Sequence, residues 1–191
     1  MSLSHTLAVF EALDSPRASG DTVRALLDGV DGVTLEVERV HGPKGATDFV
    51  RVVVPGRTGR RAGGTAPTLG VVGRLGGVGA RPSRIGLVSD ADGAVAAVAI
   101  ARKLAFMHRE GDVLAGDVVI ATHICPDAPT KPHLPVDFMD SPVSIAEMNA
   151  REVTPEMAAV LSFDTTKGNR LLNTRGFAIS PTVKEGWILK V

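Results

Sequence analysis

The sequence has few of the aromatic residues that bind nucleic acids and too few cysteines for a disulfide-stabilised scaffold. Its 191 residues include no tyrosine and one tryptophan, which leaves few aromatic rings for stacking on unpaired bases. A single cysteine excludes an internal disulfide and a four-cysteine zinc site. The 21 basic and 21 acidic residues give a net charge of zero, so no overall attraction to nucleic acid is expected. We therefore expect no nucleic-acid partner.

Long hydrophobic runs are also missing. No stretch approaches the roughly 20 apolar residues of a membrane helix, so we expect no membrane partner. The segment 1–20 lacks a basic start followed by an apolar run, so no export signal is visible. The single cysteine suits a reducing compartment, which predicts a cytoplasmic protein. The balance of 44% hydrophobic and 22% charged residues predicts a single folded domain over residues 1–191.

The periodicity of apolar residues predicts helices and strands that alternate along the chain, which indicates an α/β fold. Four residues at helical spacing predict a first helix over 3–13: Leu3, Leu7, Phe10 and Leu13. Further helices are predicted at 21–28 (with Ser19 as N-cap), 90–110 and 145–158. Alternating or continuous apolar runs predict strands at 33–37, 49–54, 68–73, 118–122, 160–165 and 177–180.

Three segments are unusual in composition. Residues 56–66 are rich in glycine and arginine and predict a flexible, solvated loop, with anion binding as the alternative. Residues 125–143 are rich in proline and predict an irregular loop near the candidate site. The glycine run at 70–79 does not match a dinucleotide-binding fingerprint, and a crowded backbone explains it better.

Side chains with ligand or catalytic chemistry follow the predicted core elements. Asp90 precedes the long helix, where a carboxylate caps the helix or holds a cation. His123, Cys125 and Asp127 follow the strand at 118–122, and Asp164 ends the strand at 160–165. Imidazole, thiolate and carboxylate are all metal ligands, so these positions predict a metal site.

Other chemistry remains open for the same residues. Asp164 could instead begin a turn. Cys125 could be a nucleophile with His123 as its base, or a small buried side chain without chemistry.

Four segments resemble an uncharacterised prokaryotic family, the domain of unknown function numbered 1177. They are SDADGAV (89–95), THICPDAPTKPHLPV (122–136), DTTKGNR (164–170) and GFAISPTVKEG (176–186). The resemblance runs from about residue 6 to the C-terminus and implies no activity. Members of that family continue beyond the position of Val191. We therefore expect a fragment, a processed product or one half of a two-chain protein.

The order of elements is more distantly similar to the dinuclear zinc exopeptidases and amidohydrolases. That resemblance implies a three-layer α/β sandwich with a mixed central sheet, incomplete at its C-terminus, and a divalent metal such as zinc. Asp90 takes the place of the bridging metal ligand, and Asp164 that of a later ligand. The chain departs from the pattern twice: GRLGGVG stands where a His-any-Asp motif is expected, and THICPD stands where paired glutamates are expected. His123 and Asp127 are the candidate substitutes.

These observations lead to three functional hypotheses. The first is a metal-dependent hydrolase of peptide or amide bonds, with ligands from Asp90, His123, Asp127 and Asp164. Asp127 or His123 would act as the base, and the residues after Asp164 would hold a substrate carboxylate: Lys167, Asn169 and Arg170. The second is a non-catalytic small-molecule-binding or assembly module. The third is an amidohydrolase that uses Cys125 and His123 without metal. A homo-oligomer or a second chain would supply the missing C-terminal part.

Overall fold

The computed structural model describes residues 2–15, 17–73, 87, 91–125, 129–132, 134 and 138–163. The helices are α1 (Ser2–Leu13), α2 (Gly20–Leu26), α3 (Asp92–Arg109) and α4 (Ile145–Glu152). The strands are β1 (Thr34–Gly42), β2 (Gly45–Val54), β3 (Thr68–Gly73), β4 (Val118–Ile124), β5 (Thr130–Lys131), β6 (Phe138–Met139) and β7 (Met157–Phe163). A short 3₁₀ turn spans Arg60–Ala62.

A five-stranded mixed sheet with the order β1-β2-β4-β3-β7 forms the centre of the fold. β1 pairs antiparallel with β2, and β2 pairs antiparallel with β4. β3 lies parallel to both β4 and β7. The carboxyl ends of these three parallel strands therefore meet at one edge, which we call the carboxyl edge. The mixed sheet confirms the predicted α/β class.

Helices cover both faces of the sheet. α1, α2 and α3 pack on one face, where alternate residues of β2 (Val50, Val52 and Val54) join alanines of α3 in the main core. α4 packs on the opposite face, where its Met148 contacts Phe49 and Val143. β4 is buried along its whole length, as the central strand of the sheet with α3 packed against it. The result is the three-layer arrangement expected of this class.

The apolar residues of α1 face the wrong way for the sequence prediction. Of the four residues that predicted this helix, only Leu13 is buried; Leu3, Leu7 and Phe10 are 67%, 51% and 47% exposed. The buried side of α1 instead carries His5, Val9 and Leu13. Nδ1 of His5 accepts a hydrogen bond of 2.7 Å from Arg102 of α3. This contact holds the His5 side of α1, rather than the Leu3 and Leu7 side, against α3.

The predicted elements are otherwise confirmed within the described residues, with shifted boundaries. The clearest difference is α4, which ends at Glu152 rather than residue 158. Pro155 explains the early end, because proline cannot donate the backbone hydrogen bond that would continue the helix. β7 begins directly afterwards at Met157. The strand predicted at 177–180 lies outside the described residues. No helix among the described residues combines the length and apolar character of a membrane span.

The Gly/Arg segment at 56–66 is anchored to the start of β4. The buried carboxylate of Asp117 accepts hydrogen bonds from the backbone N–H of Gly56 (2.8 Å) and Arg61 (3.1 Å). Gly59 forms an isolated bridge with Ala66, which closes the loop. Residues 56–66 are therefore held to the fold by backbone and carboxylate hydrogen bonds, which the predicted solvated loop does not include. In the proline-rich segment, the described residues include the short pair β5–β6, and Asp140 accepts from Lys44 and Lys131 at 2.8 and 2.9 Å.

Candidate functional site

His123 lies one residue before the carboxyl end of β4. Its register partner on β2 is Phe49, and the two ring centroids are 5.7 Å apart. Its side chain is only 1% exposed, on the sheet face that α4 covers. The strand therefore fixes a titratable imidazole deep in the fold, close to the edge where three parallel strands end.

The carboxylate of Glu152 holds this imidazole in place. Its Oε1 lies 2.6 Å from Nδ1 of His123, and the Glu152 side chain is also 1% exposed. An ionised carboxylate only accepts hydrogen bonds, so with Glu152 ionised the Nδ1 atom must carry the proton. In the neutral ring this places the lone pair on Nε2. Nε2 is buried and has no hydrogen-bond partner among the described residues.

The end of α4 is fastened to the sheet around this pair. Nη2 of Arg51 donates to the backbone carbonyl of Arg151 at 2.6 Å. The guanidinium of Arg151 lies 5.3 Å from the ring centroid of Phe49 and donates from Nε to Glu38 at 3.4 Å. A small cavity of about 110 Å³ lies beside these side chains and is partly lined by Glu152. These contacts position Glu152 without engaging Nε2 of His123.

Cys125 follows directly after β4 and is fully buried. Its Sγ lies 3.0 Å from Oγ1 of Thr47 on β2. Burial raises the pKa of the Cys125 thiol to about 12, and it outweighs the Thr47 hydrogen bond, which lowers the pKa. The thiol form therefore predominates near neutral pH, which weighs against the hypothesis of a thiolate nucleophile.

The remaining sequence-predicted site residues lie outside the described part of the chain. They are Asp90, Asp127, Asp164, Lys167, Asn169 and Arg170. The structure thus brings His123 and Cys125 to the end of β4 and leaves the other positions as predictions. Within the described residues, no group of three or more histidine, cysteine, aspartate or glutamate side chains could hold a metal ion.

Glu152 is the site residue that sequence reasoning missed. It lies 29 positions from His123 in sequence, at the end of a short helix, with no motif around it. Its one signal is the placement of a charged residue next to the helix end, and many solvated glutamates share that feature. Only the packing of α4 on the sheet shows that this carboxylate is buried.

Comparisons with known proteins place the chain in a family. A family of sequences described as "Protein of unknown function (DUF1177)" matches residues 38–191. The crystal structure of Macrostomum lignano glutaminyl cyclase is similar, with a TM-score of 0.40 and 16% sequence identity. That similarity covers 84% of this chain and 52% of glutaminyl cyclase, so the chain spans about half the length of that protein. No curated protein matches the sequence. Because the family match extends over most of its length, the chain belongs to the DUF1177 family.

Proposed function

We propose that this chain contributes to a metal-dependent hydrolase centre that acts on peptide or amide bonds. The centre lies at the carboxyl edge of the sheet, with zinc as its metal and Nε2 of His123 as one ligand. The observation that carries the proposal is the buried Nε2 atom of His123, which has no hydrogen-bond partner among the described residues.

Leaving a buried nitrogen without a partner costs about 1–3 kcal/mol, so such an atom calls for an explanation. A neutral imidazole that donates from one nitrogen to a carboxylate and offers the other to a metal is the common arrangement of zinc-bound histidine. The contact between Nδ1 of His123 and Glu152 has this geometry, at 2.6 Å. The pair therefore fits one side of a zinc site.

The topology favours further ligands from the sequence positions next to the same edge. β7 ends at Phe163, which pairs with Gly73 at the end of β3, and Asp164 is the next residue in sequence. Asp127 follows His123 by four positions, and Asp90 precedes α3 by two. We assign these three carboxylates to the remaining ligand positions, because carboxylate and imidazole together form the donor set of many zinc hydrolases.

The roles of the chain's own residues follow from this assignment. Bound zinc would supply Lewis-acid activation of water and of the substrate carbonyl. Glu152 would keep His123 in the tautomer that presents Nε2. Asp127 would act as ligand or general base, and the cationic and amide groups of Lys167, Asn169 and Arg170 would hold a substrate carboxylate.

Metal binding tests the proposal most directly. The 191-residue chain, purified without chelators, is expected to bind zinc near one equivalent or more, measured by mass spectrometry of metal content. His123→Ala and Asp164→Ala should each abolish this binding. Glu152→Gln should weaken zinc affinity by about 10–100-fold, because the carboxylate orients the ligand without touching the metal.

A matched control separates ligation from general damage to the fold. His41→Ala removes an exposed imidazole on β1 and should leave metal content unchanged. All variants must show the same circular dichroism in the presence of chelator. If folded His123→Ala retains the full metal content, or if the wild-type chain and a longer member of the family both bind none, the metal proposal is wrong.

A further inference from the structure

The side of α3 that faces away from the sheet is apolar, although the fold of one chain leaves it partly open. We call this surface the outer face of α3, and it consists of Asp92, Val95, Ala96, Ala99, Ile100, Lys103 and Leu104. These residues, with Ser2 and Thr6 of α1, line a groove of about 540 Å³. The sheet-facing side of the same helix is buried in the main core. On the outer face, Ala99 is 7% exposed, and Val95, Ile100 and Leu104 are partly buried against that core. Five of the seven residues of the outer face are apolar, and an apolar face that is only partly covered can receive a partner helix.

A ridge of large apolar side chains borders the groove. Leu3, Leu7 and Phe10 of α1 are exposed and follow one another at spacings of four and three residues. That spacing is typical of a helix that packs along another helix. Thr6 lines the groove, and Leu3 and Phe10 are its neighbours at i−3 and i+4 on the helix surface. Ridge and groove therefore lie side by side on one surface of the molecule.

The outer face of α3 also has a two-fold pattern in its sequence. Ala96 and Ala99 are equally far from the midpoint between residues 97 and 98, and so are Val95 and Ile100. Asp92 and Lys103 are likewise equally far from this midpoint and are separated by about 16 Å along the helix. A two-fold axis through the midpoint would bring alanine of one subunit next to alanine of the other, and a branched side chain next to a branched side chain. It would also bring the aspartate of each subunit next to the lysine of its partner.

We propose that this surface is the interface of a homodimer, in which α3 crosses α3 of a second copy around a two-fold axis. A two-fold interface uses the same patch on both subunits, so the patch must complement itself. The alanine pair lets the two helix backbones approach closely at the crossing point. The ridge of α1 borders the groove and extends the apolar contact. At each end, Asp92 faces Lys103 of the partner subunit.

Charge complementarity favours a second copy over an unrelated partner. Among the described residues that line the groove, Asp92 and Lys103 carry opposite charges and lie towards opposite ends of α3. The chain has no net charge, so two copies do not repel one another over long range. The interface lies on the helix layer that contains α1 and α3 and does not include His123, so the inference stands independently of the proposed hydrolase centre.

The first test is the mass of the full chain in solution, measured by analytical ultracentrifugation over a range of concentrations. We expect a dimer. Ile100→Asp places a charge in the centre of the interface and should give a monomer. Leu134→Asp changes an apolar residue that is 89% exposed outside this surface and should leave the dimer intact. A wild-type chain that stays monomeric at all concentrations overturns the proposal.

A charge exchange tests the two-fold geometry itself. Lys103→Glu alone would place two carboxylates together at each end, and Asp92→Lys alone would place two ammonium groups together. Each single variant should weaken the dimer by about tenfold or more, a change of about 1.4 kcal/mol. The double variant Asp92→Lys/Lys103→Glu should restore the dimer. A dimer that resists Ile100→Asp, or single variants that the double variant does not rescue, would show that another surface holds the two copies together.

Discussion

At the scale of single residues, two side chains at the end of β4 are equally buried but differ in their hydrogen-bonding and charged neighbours. His123 and Cys125 are two positions apart and equally hidden from solvent. The imidazole has an acidic partner on one nitrogen and none among the described residues on the other. The thiol has the Thr47 hydroxyl as a neighbour, and among the described residues the nearby carboxylates of Asp48 and Glu152 raise its pKa further. Burial therefore keeps Cys125 in the thiol form, whereas His123 keeps a nitrogen that the proposed metal site would use.

Cys125 should resist thiol reagents in the folded chain. Its pKa of about 12, against an ordinary value of 9.0, lowers the thiolate fraction near neutral pH by about a thousandfold. Labelling with a disulfide reagent should therefore be at least that much slower than for a free cysteine, and should reach one equivalent only in denaturant. Labelling of the native protein at the rate of an exposed thiol would restore Cys125 as a candidate nucleophile.

His5 should make the stability of the fold depend on pH. Burial, followed by the charges of Arg102 and Lys103, holds the pKa of His5 below its usual 6.5. The unfolded chain thus binds more protons than the folded one over this range, and stability rises with pH. The contribution of His5 is fully present above about pH 6.5 and is lost as the pH falls through that value towards the folded-state pKa.

Denaturant unfolding between about pH 5 and pH 8 measures this dependence. His5→Gln should flatten the pH profile in that range, because the replacement does not titrate. His41→Gln changes an exposed histidine and should leave the profile as it is in the wild type. An unchanged slope in His5→Gln would show that another group controls the dependence.

At the scale of the elements, close backbone contact determines how α3 meets the sheet. Gly73 ends β3 directly against the first turn of α3, and a Cβ atom at this position would collide with the backbone carbonyl of Gly93. A Cβ at Gly70 would collide with the side chain of Met157 on β7. These two contacts support the interpretation of a crowded backbone at Gly70 and Gly73, and the rest of the run at 74–79 lies outside the described residues.

Gly73→Ala should destabilise the fold by about 1–3 kcal/mol, because the added methyl group must displace the helix or the strand. The midpoint of chemical denaturation measures this change. Gly63→Asn is a suitable control: Gly63 has φ +77° with open space around it, and asparagine tolerates that conformation. Equal stability of Gly73→Ala and the wild type would show that the two elements can separate without cost.

The elements differ in how far the sequence predicts them. α3 and β4 are predicted well because long apolar periodicity and a continuous apolar run report directly on burial. The sequence does not predict which side of α1 is buried. That side carries His5, which contacts Arg102, rather than the largest apolar residues of the helix. The sequence predicts His123 as a candidate site residue because it follows a core strand, and its role stays a prediction. Glu152 was missed because its burial depends on how α4 packs, which no local pattern reports.

At the scale of the whole molecule, the sheet joins segments that are far apart in sequence. β1 and β2 form a hairpin, whereas β3 lies between β4 and β7, both of which follow it by a long stretch of chain. Neither this strand order nor the parallel pairing can be predicted from local periodicity, because both depend on which strands pair in the folded structure. The same pairing creates the carboxyl edge on which the proposed site depends.

This strand order has a consequence for synthesis on the ribosome. The hairpin can form as soon as residue 54 emerges, but β3 must wait for two partners that are made later. β7 is complete only at residue 163, so one side of β3 stays unpaired while residues 74–163 are translated. An unpaired apolar edge is a site for pairing with other nascent chains. We therefore expect nascent chains to be prone to mispairing in the interval between the emergence of β3 and that of β7.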